Sequence, residues 1–200
     1  PKGSGALNKI CSTADFRGIA ISSVVSKVFE KCVLYLYADY LSTADNQLGF
    51  KKKTGCSTAI FCLRETVDEY LRGGDTVNIA ALDITKAFPR VNHDALMVKL
   101  TQRNIPLSLL NLIRNWLTAN TARVKWRGLF SDTFVLRTGV NQGAVLAPIL
   151  FALLINDVIV RCNRTNFGLI LIYADDILLV SRSCYNLQRL FDIVQDELLY

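Results

Sequence analysis

Two adjacent carboxylates, Asp175 and Asp176, stand between the strongly apolar runs Leu169–Tyr173 and Ile177–Val180. At such a junction an ionised group without a partner is costly to take out of water. Neighbouring like charges make the charged state costlier still. Exposure at a turn would relieve the cost, since Asp is common in turns; so would a basic partner or a divalent cation. No Lys or Arg lies between Gly168 and Val180, which weakens the case for a basic partner. Asp83 shifts the balance between the other two. It closes a further apolar run, Val77 to Leu82, and is followed by Ile84-Thr85-Lys86-Ala87-Phe88. Strand ends joined in one sheet would set Asp83 beside Asp175. Three hard oxygen ligands suit Mg²⁺. Two such ions about 3.5–4 Å apart stabilise the attacking and leaving oxygens of an in-line phosphoryl displacement.

The rest of the chain must supply elements that hold those strand ends together. Gly18–Ile21 reads as a short strand. From Ser22 onward Val25, Val28, Phe29, Cys32, Leu36 and Tyr40 recur at spacings of three and four, which predicts a helix with that face buried. After the loop Ser42–Cys56, Ser57 is the expected N-cap of a second helix, with Ile60, Leu63, Val67, Tyr70 and Leu71 inward and Gly73-Gly74 ending it. Val77–Leu82 reads as a buried strand. Asp94–Arg103 and Leu107–Asn120 read as helices separated by Pro106, and Val124–Arg137 as a hairpin turning near Ser131-Asp132. Gly139–Gly143 is a loop, and Pro148 can open the apolar helix after it. The runs flanking Ala174-Asp175-Asp176 predict a tight hairpin, and Leu187, Leu190, Phe191, Val194 and Leu198 a last helix. The class is α+β, with no internal repeat.

Several of these segments carry motifs in a familiar order. Tyr173-Ala174-Asp175-Asp176 resembles the Tyr-x-Asp-Asp box of reverse transcriptases, and Asp83 to Phe88 resembles their first catalytic motif. Gly139-Val140-Asn141-Gln142-Gly143, continued through Pro148 and Phe151 to Ile155-Asn156-Asp157, is similar to the segment between them. Asp15-Phe16-Arg17-Gly18-Ile19, the helix through Ser26–Glu30, and Leu48-Gly49-Phe50 resemble the fingers motifs of the non-LTR (LINE-type) retrotransposon enzymes. The resemblance implies a right-hand polymerase fold: about residues 1–76 as fingers, 77–200 mainly as palm with an antiparallel sheet packed on helices, and the thumb missing. It implies an RNA-directed DNA polymerase that uses deoxynucleoside triphosphates, an RNA template and a DNA primer. Two Mg²⁺ ions, with Mn²⁺ as an alternative, would sit on Asp83, Ile84, Asp175 and Asp176. Arg17 would clamp the triphosphate, Phe88 would exclude a 2′-hydroxyl, Gln142 and Gly143 would meet the nucleotide, and Tyr173 the primer end. His93 is expected to be structural. Departures from the family pattern at Gly18, Pro89, Asn141 and Ala144 remove no metal ligand.

Basic residues exceed acidic ones, 23 against 17, and cluster as Lys51-Lys52-Lys53 and as the stripe Arg123, Lys125, Arg127. Such patches attract phosphate backbones. The longest apolar run, Ala144 to Ile155, contains Pro148 and falls short of the roughly 18 residues of a membrane span. Six Cys without C-x-x-C spacing, and one His, argue against zinc and for a reducing, intracellular compartment; Cys32 and Cys62 fall on the expected apolar helix faces. The termini suggest part of a longer protein whose thumb and endonuclease regions lie elsewhere. A group II intron or retron enzyme, and a nucleic-acid-binding remnant with dead chemistry, remain the alternatives.

Overall fold

The computed structural model describes residues 16 and 18–198. The three apolar runs around the acids become β1 (Asn78–Asp83), β6 (Leu169–Tyr173) and β7 (Asp176–Ser181), joined as an antiparallel sheet in the order β1-β7-β6. Side chains alternate across a sheet, so one face takes Ala80, Leu82, Ile170, Ile172, Ile177 and Leu179 into the main apolar cluster. The other face is partly open. β1 is therefore half-buried and not the buried strand expected, with Ile79 49% exposed and Ala81 and Asp83 open.

Helices α6 (Asn156–Asn163) and α7 (Cys184–Leu198) pack against that sheet, and α3 (His93–Gln102), α4 (Leu107–Thr118) and α5 (Ala147–Leu154) join the same core by packing on one another and on α6. Leu96, Leu109, Ile113, Leu150, Ile159 and Leu190 are all fully buried there. Each such side chain contributes about 1.5–3 kcal/mol through burial. The apolar helix after Pro148 is divided at Ile155 into α5 and α6. Buried Asn156 opens α6, and its Oδ1 accepts the Ala44 amide at 2.8 Å.

The first two helices differ from their periodic patterns. α1 (Val24–Leu36) is capped by Ser23, whose hydroxyl accepts the Ser26 amide. Its buried residues are Glu30 and Val33, whereas Val25, Val28, Phe29, Cys32, Leu36 and Tyr40 are exposed. The face read as core is thus the open one. The cause lies outside the helix: buried Glu30 bonds to backbone amides preceding α5, which turns its own side of α1 inward. α2 (Cys56–Arg72) begins after Gly55, not Ser57, and buries Tyr70 while Ile60 and Leu71 stay exposed. Of the described cysteines Cys162, not Cys32, is the buried one, and burial pushes its thiol up to about 11.

Between α4 and α5 the expected hairpin is two short ladders. β2 (Thr121–Ala122) pairs with β5 (Phe134–Val135), and inside them β3 (Lys125–Trp126) pairs with β4 (Leu129–Phe130). The reversal falls at Arg127-Gly128 and not near Ser131-Asp132. Both of those residues have positive φ, 48° and 86°, as a two-residue I′ turn requires. Among the described residues no helix is long and apolar enough to cross a membrane.

An ion-pair network fastens three of the helices. Lys99 of α3 reaches Asp157 of α6 at 2.6 Å and Glu197 of α7 at 3.0 Å, while Arg161 of α6 holds the other Glu197 oxygen at 2.8 Å. Burial pushes the Glu197 carboxyl up, but hydrogen bonds from Arg161 and Lys99 and their charges outweigh it and hold it below 4.5. Burial likewise lowers Lys99, yet its bonds to Asp157 and Glu197 raise it above 10.5. The network's stabilisation is therefore complete between about pH 5 and 10. It is lost in acid as pH falls through the depressed Glu197 value, and in alkali as pH rises through the raised Lys99 value. Glu197→Gln should cost about 1–2 kcal/mol near neutral pH and remove part of the acid-side dependence, as urea unfolding at pH 3–7 would register.

Candidate active site

The register of the sheet positions the acids. Asp83 is the Cα partner of Asp176, and Tyr173 is the partner of Asp176 on its other side. Directly opposed residues share a face, so Asp83, Asp176 and Tyr173 form a row across the open face of all three strands. Asp83 and Asp176 are exposed, and Tyr173 is 36% exposed. The Ile84 amide donates to the Asp175 carbonyl at 3.1 Å. That bond leaves Asp83 and Asp176 as a non-hydrogen-bonded pair, the kind whose Cα atoms lie about 4.5 Å apart with side chains closest. Asp175 is the second residue of a two-residue turn whose first, Ala174, has φ 59°. The three acids thus share one end of one sheet, with Asp176, not Asp175, directly across from Asp83.

None of the three has an ion-pair partner among the described residues. Nor do any three His, Cys, Asp or Glu side chains among them converge as a preformed metal cage. Like-charged carboxylates at an open edge repel one another, and no ion pair to a described residue draws them together. As a donor set, three hard oxygen ligands free of cationic neighbours among the described residues fit Mg²⁺.

A loop buttresses the turn. The Asn46 carbonyl accepts from the Ile172 amide at 2.9 Å and the Leu48 amide donates to the Ile172 carbonyl at 2.8 Å, so residues 46–48 extend the sheet beside β6. Fully buried Gln47 accepts the Gly49 amide on Oε1 at 3.1 Å. A Cβ on Gly49 would lie 2.3 Å from the Ala174 nitrogen, so only glycine admits this approach. Sequence reading quoted Leu48-Gly49-Phe50 as a resemblance and missed this role. The available signal was a lone Gly between large apolar residues, which often marks close backbone approach.

Next along the loop, Phe50 meets Phe88 edge-on at 6.1 Å, and Phe88 stacks on Phe151 at 5.2 Å. Phe88 is half-buried, with part of its ring packed on core. Its carbonyl accepts the Val140 amide at 2.9 Å, and the Gly139 amide donates to Val91 at 2.8 Å. His93 donates from Nε2 to the Gly139 carbonyl at 2.7 Å, the tautomer a carbonyl acceptor demands, in the structural role expected. Residues 139–142 are thereby drawn toward Phe88.

Gly18–Ile21 forms no regular strand, but the Ala20 amide donates to the Gln142 carbonyl at 2.9 Å. Gly143 has φ 120°, and a Cβ there would lie 2.4 Å from the Ala20 carbonyl oxygen. Arg17 lies outside the described residues; its neighbour Phe16 packs edge-on against Trp126 at 5.3 Å.

The two basic patches differ in how free their charges are. Lys51 is half-buried, and its Nζ donates to the Thr43 and Ala44 carbonyls at 3.1 and 2.7 Å, which leaves Lys52 and Lys53 as the exposed members. Arg123 and Lys125 lie over the Phe130 ring at 4.8 and 5.4 Å, and Arg127 occupies the exposed turn. The base of that hairpin is tied to the site loop: Asn141 donates from Nδ2 to Asn120 Oδ1 at 3.0 Å.

Residues 1–199 match the family model of the reverse transcriptase (RNA-dependent DNA polymerase), and the chain belongs to that family. The motif-based assignment to the non-LTR retrotransposon branch also stands, because the relatives are mobile-element proteins. The chain is 27% identical over 186 residues to the probable RNA-directed DNA polymerase from transposon BS of Drosophila melanogaster, covering 88% of this chain and 20% of that protein. Against the Retrovirus-related Pol polyprotein from type-2 retrotransposable element R2DM of the same species, identity is 26% over 192 residues, covering 92% and 18%. The chain therefore spans about a fifth of the length of the curated relatives it matches. Among solved structures, telomerase from Candida tropicalis in complex with a TWJ fragment of telomeric RNA superposes with TM-score 0.64 at 14% identity, over 87% of this chain and 32% of that one. Apo telomerase from the same organism, truncated from its C-terminal domain, gives 0.60 at 15%, over 88% and 37%. At that identity the likeness is one of fold.

The Gly49 contact yields a prediction. Gly49→Ala should force the Ala174 turn aside and destabilise the chain by about 1–3 kcal/mol. Thermal unfolding measures the loss; an unchanged midpoint would mean that the loop does not press on the turn.

Proposed function

We propose that this chain is the fingers (about residues 1–76) and most of the palm (77–200) of an RNA-directed DNA polymerase. It adds deoxynucleotides to a DNA primer 3′ end on an RNA template, working inside the cell as a ribonucleoprotein in cytoplasm and nucleus. The observation that carries this reading is the row Asp83, Asp176, Tyr173 across one sheet end, with Asp175 in the adjoining turn. Family membership supports it independently.

In this reading Asp83, Asp175 and Asp176, with Ile84 at the strand end, would hold two Mg²⁺ or Mn²⁺ ions. Such ions, when bound, neutralise the triphosphate and stabilise the attacking and leaving oxygens of the transfer. The chain's own groups do the rest. Tyr173 lies on the face of Asp83 and Asp176, where it can bear on the primer end. Phe88, propped by Phe151 and Phe50, limits the space beneath the sugar. Gln142, held through its carbonyl by Ala20, keeps its side chain for the nucleotide, and Gly143 keeps the backbone close. Arg17 clamps the triphosphate with its bidentate fork. Lys52, Lys53, Arg123, Lys125 and Arg127 attract the template and primer phosphates, with Lys51 bracing its own loop.

Primer extension tests the reading, in a longer chain that includes a thumb. Asp175→Asn should lower kcat by at least about a hundredfold, as loss of transition-state charge stabilisation does, with circular dichroism unchanged. Retention of most activity would give the metal to other residues and leave the dead-remnant reading standing.

Phe88 carries a second expectation. Phe88→Ala should raise ribonucleotide incorporation relative to deoxynucleotide incorporation, because steric exclusion of the 2′-oxygen is lost. If Phe88 is only core, truncation instead costs about 3–5 kcal/mol and lowers both activities alike. The ratio of kcat/KM for the two nucleotide types decides, since a folding defect cancels from it.

A further inference from the structure

Glu30 is 1% exposed, yet no ion pair to a described residue holds its carboxylate. Its partners are hydrogen-bond donors. Oε1 accepts the Ser26 hydroxyl at 2.8 Å, and Oε2 accepts the backbone amides of Val145 at 2.5 Å and Leu146 at 2.9 Å. Those amides stand where the loop carrying Gln142 ends and α5 begins. The helix start has no side-chain cap of its own: Leu146 occupies the N-cap, and Pro148 lies in the first turn. Glu30 therefore accepts, from another helix, the N-cap amide that a Glu at the third position of a capping box would accept locally, and it places negative charge at the positive end of α5.

What α5 and its loop support makes this more than a packing detail. Phe151 of α5 is the residue on which Phe88 stacks. At its other end the same loop is fixed by Val140 to Phe88, Gly139 to Val91 and His93, and Ala20 to Gln142. Glu30 holds the end that these bonds do not reach. We infer that Glu30 is a positioning residue: its carboxylate ties α1 to the loop 139–146 and so sets where Gln142 and Phe88 stand. The inference rests on reading those two side chains as nucleotide contacts.

Chemistry distinguishes the variants. Glu30→Gln can keep both amides on its oxygen while its NH₂ donates to Ser26, whose hydroxyl can accept. Glu30→Ala leaves two buried amides without an acceptor. Ser26→Ala removes only the group that orients Oε1 and keeps the chain testable should Glu30→Ala not fold.

Two measurements test the inference, hydrogen exchange on this chain and nucleotide affinity on the longer chain that includes a thumb. Hydrogen exchange at Val145 and Leu146 should accelerate about ten- to a hundredfold in Glu30→Ala, the scale of a charge-assisted hydrogen bond. It should accelerate a few-fold in Ser26→Ala and stay near wild type in Glu30→Gln, with β6 and β7 amides unchanged in all three. Deoxynucleoside triphosphate affinity, with Mg²⁺ and a primer–template whose 3′ end is dideoxy-terminated, should weaken in the same order. Glu197→Gln serves as the control: it lowers stability and leaves that affinity intact. Unaltered exchange at Val145 and Leu146 overturns the tether, and altered exchange with unaltered affinity overturns the positioning role. A thumb-bearing wild-type chain that binds no nucleotide, with the exchange pattern as expected, refutes the nucleotide reading of the loop and takes this role with it.

Discussion

The site depends on the register in which β1 pairs with β7. Opposed like charges on neighbouring strands cost about 0.2–1 kcal/mol, so Asp83 and Asp176 would not choose each other. The opposite face of the same strands decides the matter. Leu82, Ile177, Ile172 and Leu179 enter the core there, and aliphatic burial at about 1.5–3 kcal/mol per side chain outweighs the repulsion several times over. A slip of one residue would turn that set toward solvent, because the period of a strand is two. The core therefore holds a repelling pair in place, and a divalent cation would relieve the strain the core imposes.

The surrounding loops are placed by reference to that sheet. Residues 46–48 add to β6 and bring Gly49 against the Ala174 turn. Phe50 carries the contact on to Phe88, and Phe88 through its carbonyl to Val140. Glu30 closes the circuit from α1 to the start of α5. Most of these links are backbone hydrogen bonds or aromatic contacts, so the acids, Phe88 and the loop of Gln142 are parts of one connected framework. The basic hairpin joins it through Asn120 and Asn141.

Much of this could be read from the residues, and the failures have physical causes. The hairpin around Asp175-Asp176 was legible because two apolar runs separated only by Ala174-Asp175-Asp176 admit few other folds. The α+β class followed from the alternation of such runs with three-four spacings. The buried side of α1 was misread because its apolar stripe is the more hydrophobic face, and the deciding group is a carboxylate whose amide donors lie far along the chain. Periodicity cannot register a tertiary hydrogen bond. The turn of the basic hairpin was misplaced because Ser131-Asp132 is turn-like by composition, whereas Arg127-Gly128 has the positive φ values that close the inner ladder. Lys51 looked like one of three equal charges, and only the loop's geometry shows its ammonium engaged with two carbonyls. The opposition of Asp83 to Asp176 instead of Asp175 is a matter of register, which sequence patterns do not specify to one residue.

Whether this sheet end holds two metal ions is tested most directly by anomalous scattering from crystals of a longer chain that includes a thumb, with primer–template, a non-hydrolysable deoxynucleoside triphosphate and Mn²⁺. Two peaks are expected about 3.5–4 Å apart, each about 2.0–2.2 Å from an oxygen of Asp83, Asp175 or Asp176. Peaks confined to the triphosphate, with the Asp83 and Asp175 carboxylates more than about 8 Å apart, would contradict the two-metal reading, because no pair of ions at that spacing could then be shared between them.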